Sequence, residues 1–379
     1  MTLTARSGVA RFIPRPFRAA LRAGAARTFG LARSAALAFA TCPRDGVVRV
    51  WYGQRVPPLS EESHGGIVKF QHMQEVFPSS PRRFNVLYLV SSRPPTGALE
   101  IARTAKRKGA RFVWNQDGVA YPAWAGPNWE RANEPMGRLL RLADYVFYQS
   151  EFCRVGADRY LGRPGGGSEV LHNPVDTASF TPGASRPRGL VLLLGGTQYQ
   201  RYRLETALHV IAAVRRRRPD ATLLVTGRLV FLGSEPEGHR AAVSLATKLG
   251  VADAVSFLGP YTQAEAPEIF RRSHVLLHTK YNDPCPGVVL EAMACGLPVV
   301  YSASGGVPEL VGVTAGIGIP AELSWERDLP PDPEAMATAV LAVANDLPRY
   351  ADAARQRAVE RFDLRRWLRR HEEVFESIV

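Results

Sequence analysis

The sequence predicts an α/β protein built from two doubly wound, parallel-sheet domains that face each other across a central cleft. Three observations carry this reading. Short apolar runs alternate with segments of helix length. A stretch rich in Pro, Ser and Gly, residues 173–189, then interrupts the pattern. The alternation restarts beyond it and reaches a glycine-rich segment, 283–311, with two helix starts. A chain of 379 residues suits two such domains. With 46% hydrophobic and 22% charged residues, it is not a disordered, collagen-like or disulfide-stapled chain.

In the first domain, Val47–Tyr52 reads as a buried strand. A turn-rich loop, 54–64, leads through Gly65-Gly66 to a helix over Ile67–Val76. Asn85–Val90 is the next strand, Gly97–Lys108 a helix, and Arg111–Trp114, Tyr145–Gln149 and Glu169–His172 are later strands. The second domain opens with Leu190–Leu194 and a helix reaching Val214. Strands follow at Thr222–Thr226, Val255–Phe257, Val275–His278 and Pro298–Tyr301. The expected boundaries are a basic arm at 1–45, domains at 46–180 and 181–360, and a terminal helix, 361–379, crossing back to the first domain. Ligands of such sheets bind beyond the carboxyl ends of the strands.

The net charge is +13, and its distribution is uneven. Residues 1–45 hold eight Arg against one acid, Asp45. That surplus favours an anionic surface as partner. One reading is an amphipathic membrane-surface helix after Pro16, with Arg18 and Arg22 on one face and Phe17, Ala20 and Leu21 on the other. Gly24 weakens such a helix. The alternatives are a disordered basic arm or a non-native upstream extension. Arginines break every candidate signal-peptide core, and the apolar run Ala35–Ala40 falls far short of the roughly 20 residues of a span. The expected location is the cytoplasm, at the inner face of the membrane if the arm binds there. Four cysteines (Cys42, Cys153, Cys285, Cys295) without a CxxC pattern fit a reducing compartment and no structural zinc.

Several activities lack their signatures. There is no HExxH, no Walker Lys-Ser/Thr and no GxGxxG after the first strand. None of the thirteen Asp residues has another two positions away, so the metal-binding Asp-x-Asp is missing. No nucleic-acid-binding module accompanies the charge. Arg215–Arg218 reads as a solvated helix end, and His274 and His278, on one side of a strand, as core residues.

The segment Asp283–Val311, DPCPGVVLEAMACGLPVVYSASGGVPELV, is the informative one. Pro286 suits a first helical turn, Val288–Ala294 continue it, and Gly296 suits its cap. Leu297–Tyr301 is then a strand, and Ser302–Val307 a glycine-rich loop leading to a second helix start at Pro308-Glu309. Two helix N-termini at one end of a sheet make an anion site. Asp283 precedes the first helix, and Glu291, a turn and a half inside it, reaches the same crevice.

This segment resembles the C-terminal signature of retaining glycosyltransferases of the two-domain GT-B fold, in particular glycosyltransferase family 4, the group 1 transferases. Asp283-x7-Glu291, AMACGLPVV and Gly305-Gly306-Val307-Pro308-Glu309 match that pattern. Gly65-Gly66, HNPVDTASFTP (172–182) and VSFLGPYT (255–262) match further motifs in order. The likeness covers about residues 46–379.

The resemblance implies a role for each matched position. Residues 46–180 form the acceptor side and 181–360 the nucleotide-sugar side. Glu291 holds the ribose and Asp283 stands at the donor sugar, where the family has Glu. The family's diphosphate-binding Arg and Lys are replaced by Gly196 and Arg201, with Arg203 close by, so either arginine is a candidate. Gly65 and Gly66 approach the diphosphate from the first domain. Pro286, Gly287, Val288, Gly305 and Gly306 belong to the donor-side helix starts. Where the family often has a His, Asn115-Gln116-Asp117-Gly118 stands instead, leaving Asp117 or Asn115 for that work on the acceptor side. Tyr121, Trp124 and Trp129 either stack on a sugar or lipid head or pack as a plain loop.

The implied activity is transfer of a hexose-type sugar, with retention and without metal or cofactor, from a nucleotide-diphosphate sugar to a hydroxyl acceptor, glycan or lipid. A catalytically decayed nucleotide-sugar-binding protein is one alternative. An epimerase or phosphorylase of the same fold is another, although Lys248 and Lys280 are the only lysines of the second domain that could carry a pyridoxal group.

Overall fold

The computed structural model describes residues 37, 39–58 and 66–379. The arm helix around Phe17, Arg18, Leu21 and Arg22, and Gly65, lie outside the described residues. The first domain is a five-stranded parallel sheet in the order β1-β2-β3-β4-β5: Val50–Trp51, Val86–Val90, Arg111–Gln116, Tyr145–Tyr148 and Gly167–Val170. Helix α1 (Gly66–Val76) packs on one face through Phe70 and Met73. Helices α2 (Ala98–Arg107), α4 (Trp129–Leu142) and α5 (Glu151–Tyr160) cover the other, and a single turn, α3 (Pro122–Ala125), stands between. Helices on both faces explain why β2, VLYLV, is apolar and buried at every position. The first strand is shorter than its apolar run because it lies at the sheet edge, where only Val50 and Trp51 find ladder partners.

The second domain is a six-stranded parallel sheet in the order β11-β10-β9-β6-β7-β8. In sequence these are β6 Leu190–Leu194, β7 Ala221–Thr226, β8 Val255–Gly259, β9 Val275–His278, β10 Val299–Ala303 and β11 Gly316–Pro320. The helices are α6 (Arg201–Arg215), α7 (Glu235–Lys248), α8 (Ala266–Arg271), α9 (Gly287–Ala294), α10 (Val307–Val311) and α11 (Pro333–Asn345). Strand order reverses between β6 and β9, and the crevice at that switch point is where ligands of such sheets sit. Strand β11, GIGIP, carries too little apolar character to announce itself in the sequence.

Two segments join the halves. Outbound Val175 and returning Asp363 form a parallel bridge, with Val175 N–H donating to Phe362 O (2.8 Å) and Leu364 N–H to Val175 O (3.0 Å). Helix α12 (Leu347–Phe362) packs on the second domain, while α13 (Leu364–Ile378) lays Trp367, Val374 and Phe375 on the first sheet. A third tie is Trp325, from the loop after β11. It stacks on Phe152 at 4.8 Å and meets Tyr121 at 5.0 Å and Tyr160 at 5.6 Å, all three in the first domain.

Candidate active site between the two domains

The carboxyl ends of the two sheets face each other. Gly118, just after β3, lies so near Pro284, just after Asp283, that a Cβ on it would stand 3.2 Å from the proline ring. The Asp283 loop is therefore the floor of the interdomain crevice. Its geometry is set by backbone contacts. Gly306 N–H donates to Asp283 O (2.9 Å), and Asn282 holds the left-handed conformation (φ 50°), the only non-glycine to do so among the described residues. Ser304 Oγ accepts from Asn282 N–H (2.9 Å), and Asn282 Nδ2 donates to Ser324 O (2.8 Å).

Asp283 is buried beside a lysine and a histidine. Lys280 Nζ lies 3.1 Å from Oδ1 and His278 Nε2 3.2 Å from Oδ2, the latter outside hydrogen-bond alignment. Burial alone raises the carboxyl pKa, but Lys280, His278 and Arg203 outweigh it and hold Asp283 well below the usual range. Burial pushes the His278 imidazole down against the pull of Asp283. Both histidines of the pair are buried, as the core reading expected, and His278 in addition lies against Asp283. His274 accepts from Val191 N–H at Nδ1 (3.0 Å).

Glu291 is half-buried on α9, where it accepts from Gln263 Nε2 (2.8 Å). Burial raises its pKa and Gln263 lowers it less. Burial followed by the Glu291 charge pushes the neighbouring Tyr261 hydroxyl up, and Thr226 opposes them. A cavity of about 220 Å³ opens among Val225, Gly227, Leu229, Phe257 and Gly259 at the ends of β7 and β8.

The other expected donor residues divide. Pro286 is buried and caps α9 from outside its first turn, Gly287 is exposed at the helix start, and Val288 presses on Gly195 after β6. Arg201 is mostly exposed and paired with Glu205 (2.6 Å) at the start of α6. Arg203 does not reach the crevice surface as expected: it is buried beneath the loop after β6, with Nη1 donating to Thr197 O (2.9 Å). Burial lowers its pKa, and the charge of Asp283 opposes that shift. Gly305 and Gly306 are packing glycines. A Cβ at Gly305 would meet Asp283 O at 2.4 Å, and one at Gly306 would meet Pro284 O at 2.0 Å. Gly66 is likewise closed in, since a Cβ there would stand 2.5 Å from Ser92 Oγ and 2.9 Å from Val90.

On the first-domain side, Asp117 is buried at the end of β3 and ion-paired with Lys69 of α1. Asn115 belongs to the same cluster, accepting from Lys69 Nζ (2.8 Å). Of the aromatic stretch, Tyr121 is buried against Trp325 and Trp129 packs on Tyr160 at 5.1 Å. Trp124 is half-exposed, with Lys280 Nζ 5.2 Å from its ring centroid across the crevice.

Sequence reasoning passed over Lys69 and the pair Gln200 Nε2–Asp328 Oδ2 (2.8 Å), and did not set Lys280 or His278 beside Asp283. Lys280 carried a signal, its spacing of three from Asp283. Lys69 carried none, because its partners lie 46 to 80 residues away. Among the described residues, no three His, Cys, Asp or Glu side chains gather as metal donors.

Two parallel-sheet α/β domains facing across a crevice, with an acid loop at the switch point of the second, make up the GT-B fold, which solved glycosyltransferase structures share. Within the second domain, residues 188–346 match the family model described as Glycosyl transferases group 1. D-inositol 3-phosphate glycosyltransferase of Salinispora arenicola is 34% identical over 158 residues, which are 37% of this chain and 35% of that protein. The match thus spans about a third of that relative. Among solved structures, Anabaena HepE in complex with UDP superposes with a TM-score of 0.63 at 19% identity, covering 82% of this chain and 81% of that one. Sucrose-phosphate synthase of Thermosynechococcus elongatus gives 0.62 at 18% identity, with 78% and 74% covered. Likeness at these identities is likeness of fold.

Proposed function

We propose that the protein is a retaining glycosyltransferase that moves a hexose-type sugar from a nucleotide-diphosphate sugar to a hydroxyl acceptor, glycan or lipid, without metal or cofactor. The observation that carries the reading is Asp283, ionised and fixed by Lys280 at the switch-point crevice, with the α9 start and Glu291 beside it. In this reading the cavity at the ends of β7 and β8 takes the base, and Glu291 takes the ribose hydroxyls. The α9 N-terminus and Arg201 take the diphosphate, once Arg201 leaves Glu205. Asp283 stabilises charge developing at the sugar, while Asp117 meets the acceptor hydroxyl. The departing phosphate takes up the acceptor proton on the face it leaves.

UDP in the superposed HepE structure supports a nucleotide donor. The inositol phosphate named for the Salinispora relative supports an acceptor with ring hydroxyls. Among the described residues no helix is long and apolar enough to cross a membrane. The basic arm supplies contact with an anionic membrane surface at the cytoplasmic face. The test is a panel of UDP-, GDP- and ADP-sugars, assayed for hydrolysis and for transfer to mixed glycan and lipid acceptors. Consumption of one donor with the product anomer retained supports the proposal. Nucleotide binding without turnover of any donor favours a decayed, binding-only protein.

A further inference from the structure

The first-domain wall of the crevice contains a polar cluster that the fold does not require. Lys69 is 5% exposed, and its ammonium donates to Asn115 Oδ1 (2.8 Å), to Asp117 Oδ1 and to Gln149 Oε1 (3.2 Å). All three of its proton sites are thereby used. The cluster extends both ways. Asn115 Nδ2 donates to Tyr88 Oη (3.0 Å), and that oxygen lies 3.1 Å from His371 Nε2 on α13. Gln149 Oε1 also accepts from Asn173 Nδ2 (2.9 Å), which reaches on to Cys285 O (2.8 Å), two residues beyond Asp283. A continuous hydrogen-bonded path therefore links Asp117 to the Asp283 loop across the domain boundary.

Burial keeps the remaining titratable groups around the pair uncharged. It raises the Tyr88 hydroxyl, raises the thiols of Cys153 and Cys285, and lowers His371 to about 3. Lys69 is thus the charge that answers Asp117 within this layer. A buried ion pair adds little stability over an apolar pair of the same size, because desolvation offsets the attraction. What the pair does achieve is orientation. Lys69 holds Asp117 Oδ1, and Ser91 Oγ accepts from Asp117 N–H (2.8 Å). No described group bonds Oδ2, and the side chain keeps 12% exposure, beside the Gly118–Pro284 contact.

We propose that Lys69 is a positioning residue: it holds one oxygen of Asp117 so that the other is presented to a substrate hydroxyl beside the Asp283 loop. This rests on the glycosyltransferase reading above and adds a residue to it. Lys69 touches no substrate and acts through Asp117 alone.

The test uses the full chain with Lys69→Met, Lys69→Arg, Asp117→Asn and the Lys69→Met/Asp117→Asn double variant. Nucleotide binding is measured by calorimetry with UDP, GDP and ADP, and kinetics with whichever panel donor the wild type consumes. Losing one charge-assisted hydrogen bond in the reacting complex is expected to lower kcat about 10- to 100-fold in Lys69→Met. Donor KM and nucleotide affinity should stay near wild type, since those contacts lie in the other domain. The double variant should be no slower than Asp117→Asn, and Lys69→Arg should restore most of the rate. Additive losses in the double variant, or a weakened nucleotide affinity in Lys69→Met, would overturn the proposal in favour of a structural role. If Lys69→Met does not fold, Lys69→Arg carries the test, and an inactive Lys69→Arg that still binds nucleotide overturns it. A wild type that binds no nucleotide and consumes no donor refutes the underlying glycosyltransferase reading instead.

Discussion

Asp283 and Glu291 stand on either side of one helix start, and their surroundings separate their tasks. Asp283 is held ionised foremost by Lys280, with its loop locked by Gly306 N–H, so its charge is fixed in the crevice where the proposed reading puts the sugar. Glu291 is half-buried and, among the described residues, its carboxylate has Gln263 as its one hydrogen-bonding partner, which a ligand hydroxyl would replace in the proposed reading. Glu291→Gln should therefore raise the donor KM by about 10- to 150-fold, the equivalent of 1.5–3 kcal/mol, and lower kcat less. Asp283→Asn should lower kcat more than it raises KM, because its interaction strengthens as positive charge develops. Steady-state kinetics of both variants decide, and full activity in both removes the two acids from the mechanism. The glycines call for different variants. Gly66 sits against Ser92 and Val90, so a larger residue there reports on packing of α1 rather than on phosphate contact.

The loop after β11 acts at the scale of an element. It has no regular structure, yet Asn282 Nδ2 is tied to Ser324 O, Ala123 N–H to Trp325 O (3.0 Å) and Gln200 to Asp328. The Trp325 ring is 5% exposed among first-domain aromatics and lies against Gly156, where a Cβ would stand 3.2 Å from it. The loop thus pins the two domains together beside the crevice. Trp325→Ala removes a buried indole at this joint and is expected to cost about 3–5 kcal/mol of interdomain and fold stability. Denaturant unfolding should then split into two transitions or shift to lower denaturant, and small-angle scattering should report a larger radius of gyration. An unchanged unfolding curve would mean that the crossing helices α12 and α13 alone set the arrangement.

For the whole molecule, charge and fold are separately encoded. The described domains place some of their cations in ion pairs, such as Arg216–Glu334, Arg218–Asp220 and Arg370–Glu169. Residues 1–45, with eight Arg against Asp45, carry +7 of the net charge of +13. Deleting residues 1–36 should lower sedimentation with anionic vesicles, most of all at low salt, and leave nucleotide affinity intact. Vesicle binding that survives the deletion would move the contact to the domains themselves.

The sequence by itself determined the two-sheet architecture, because apolar runs that must be buried on both faces leave few arrangements other than parallel strands under helices. It also marked Asp283, Glu291 and the glycine-rich loop, since the spacing along one helix and one turn is a local property. Tertiary structure alone decided which neighbours those residues have. Arg203, adjacent to Arg201 in pattern, turned inward because residue 203 falls on the buried side of α6, while Arg201 falls on the solvent side. The Lys69–Asp117 pair, the Asn173 link to Cys285 and the Trp325 tie join positions dozens to more than a hundred residues apart, or through loops without periodicity. The first of these exists only once α1 has packed on the first sheet, and the other two only once the two domains have been brought face to face.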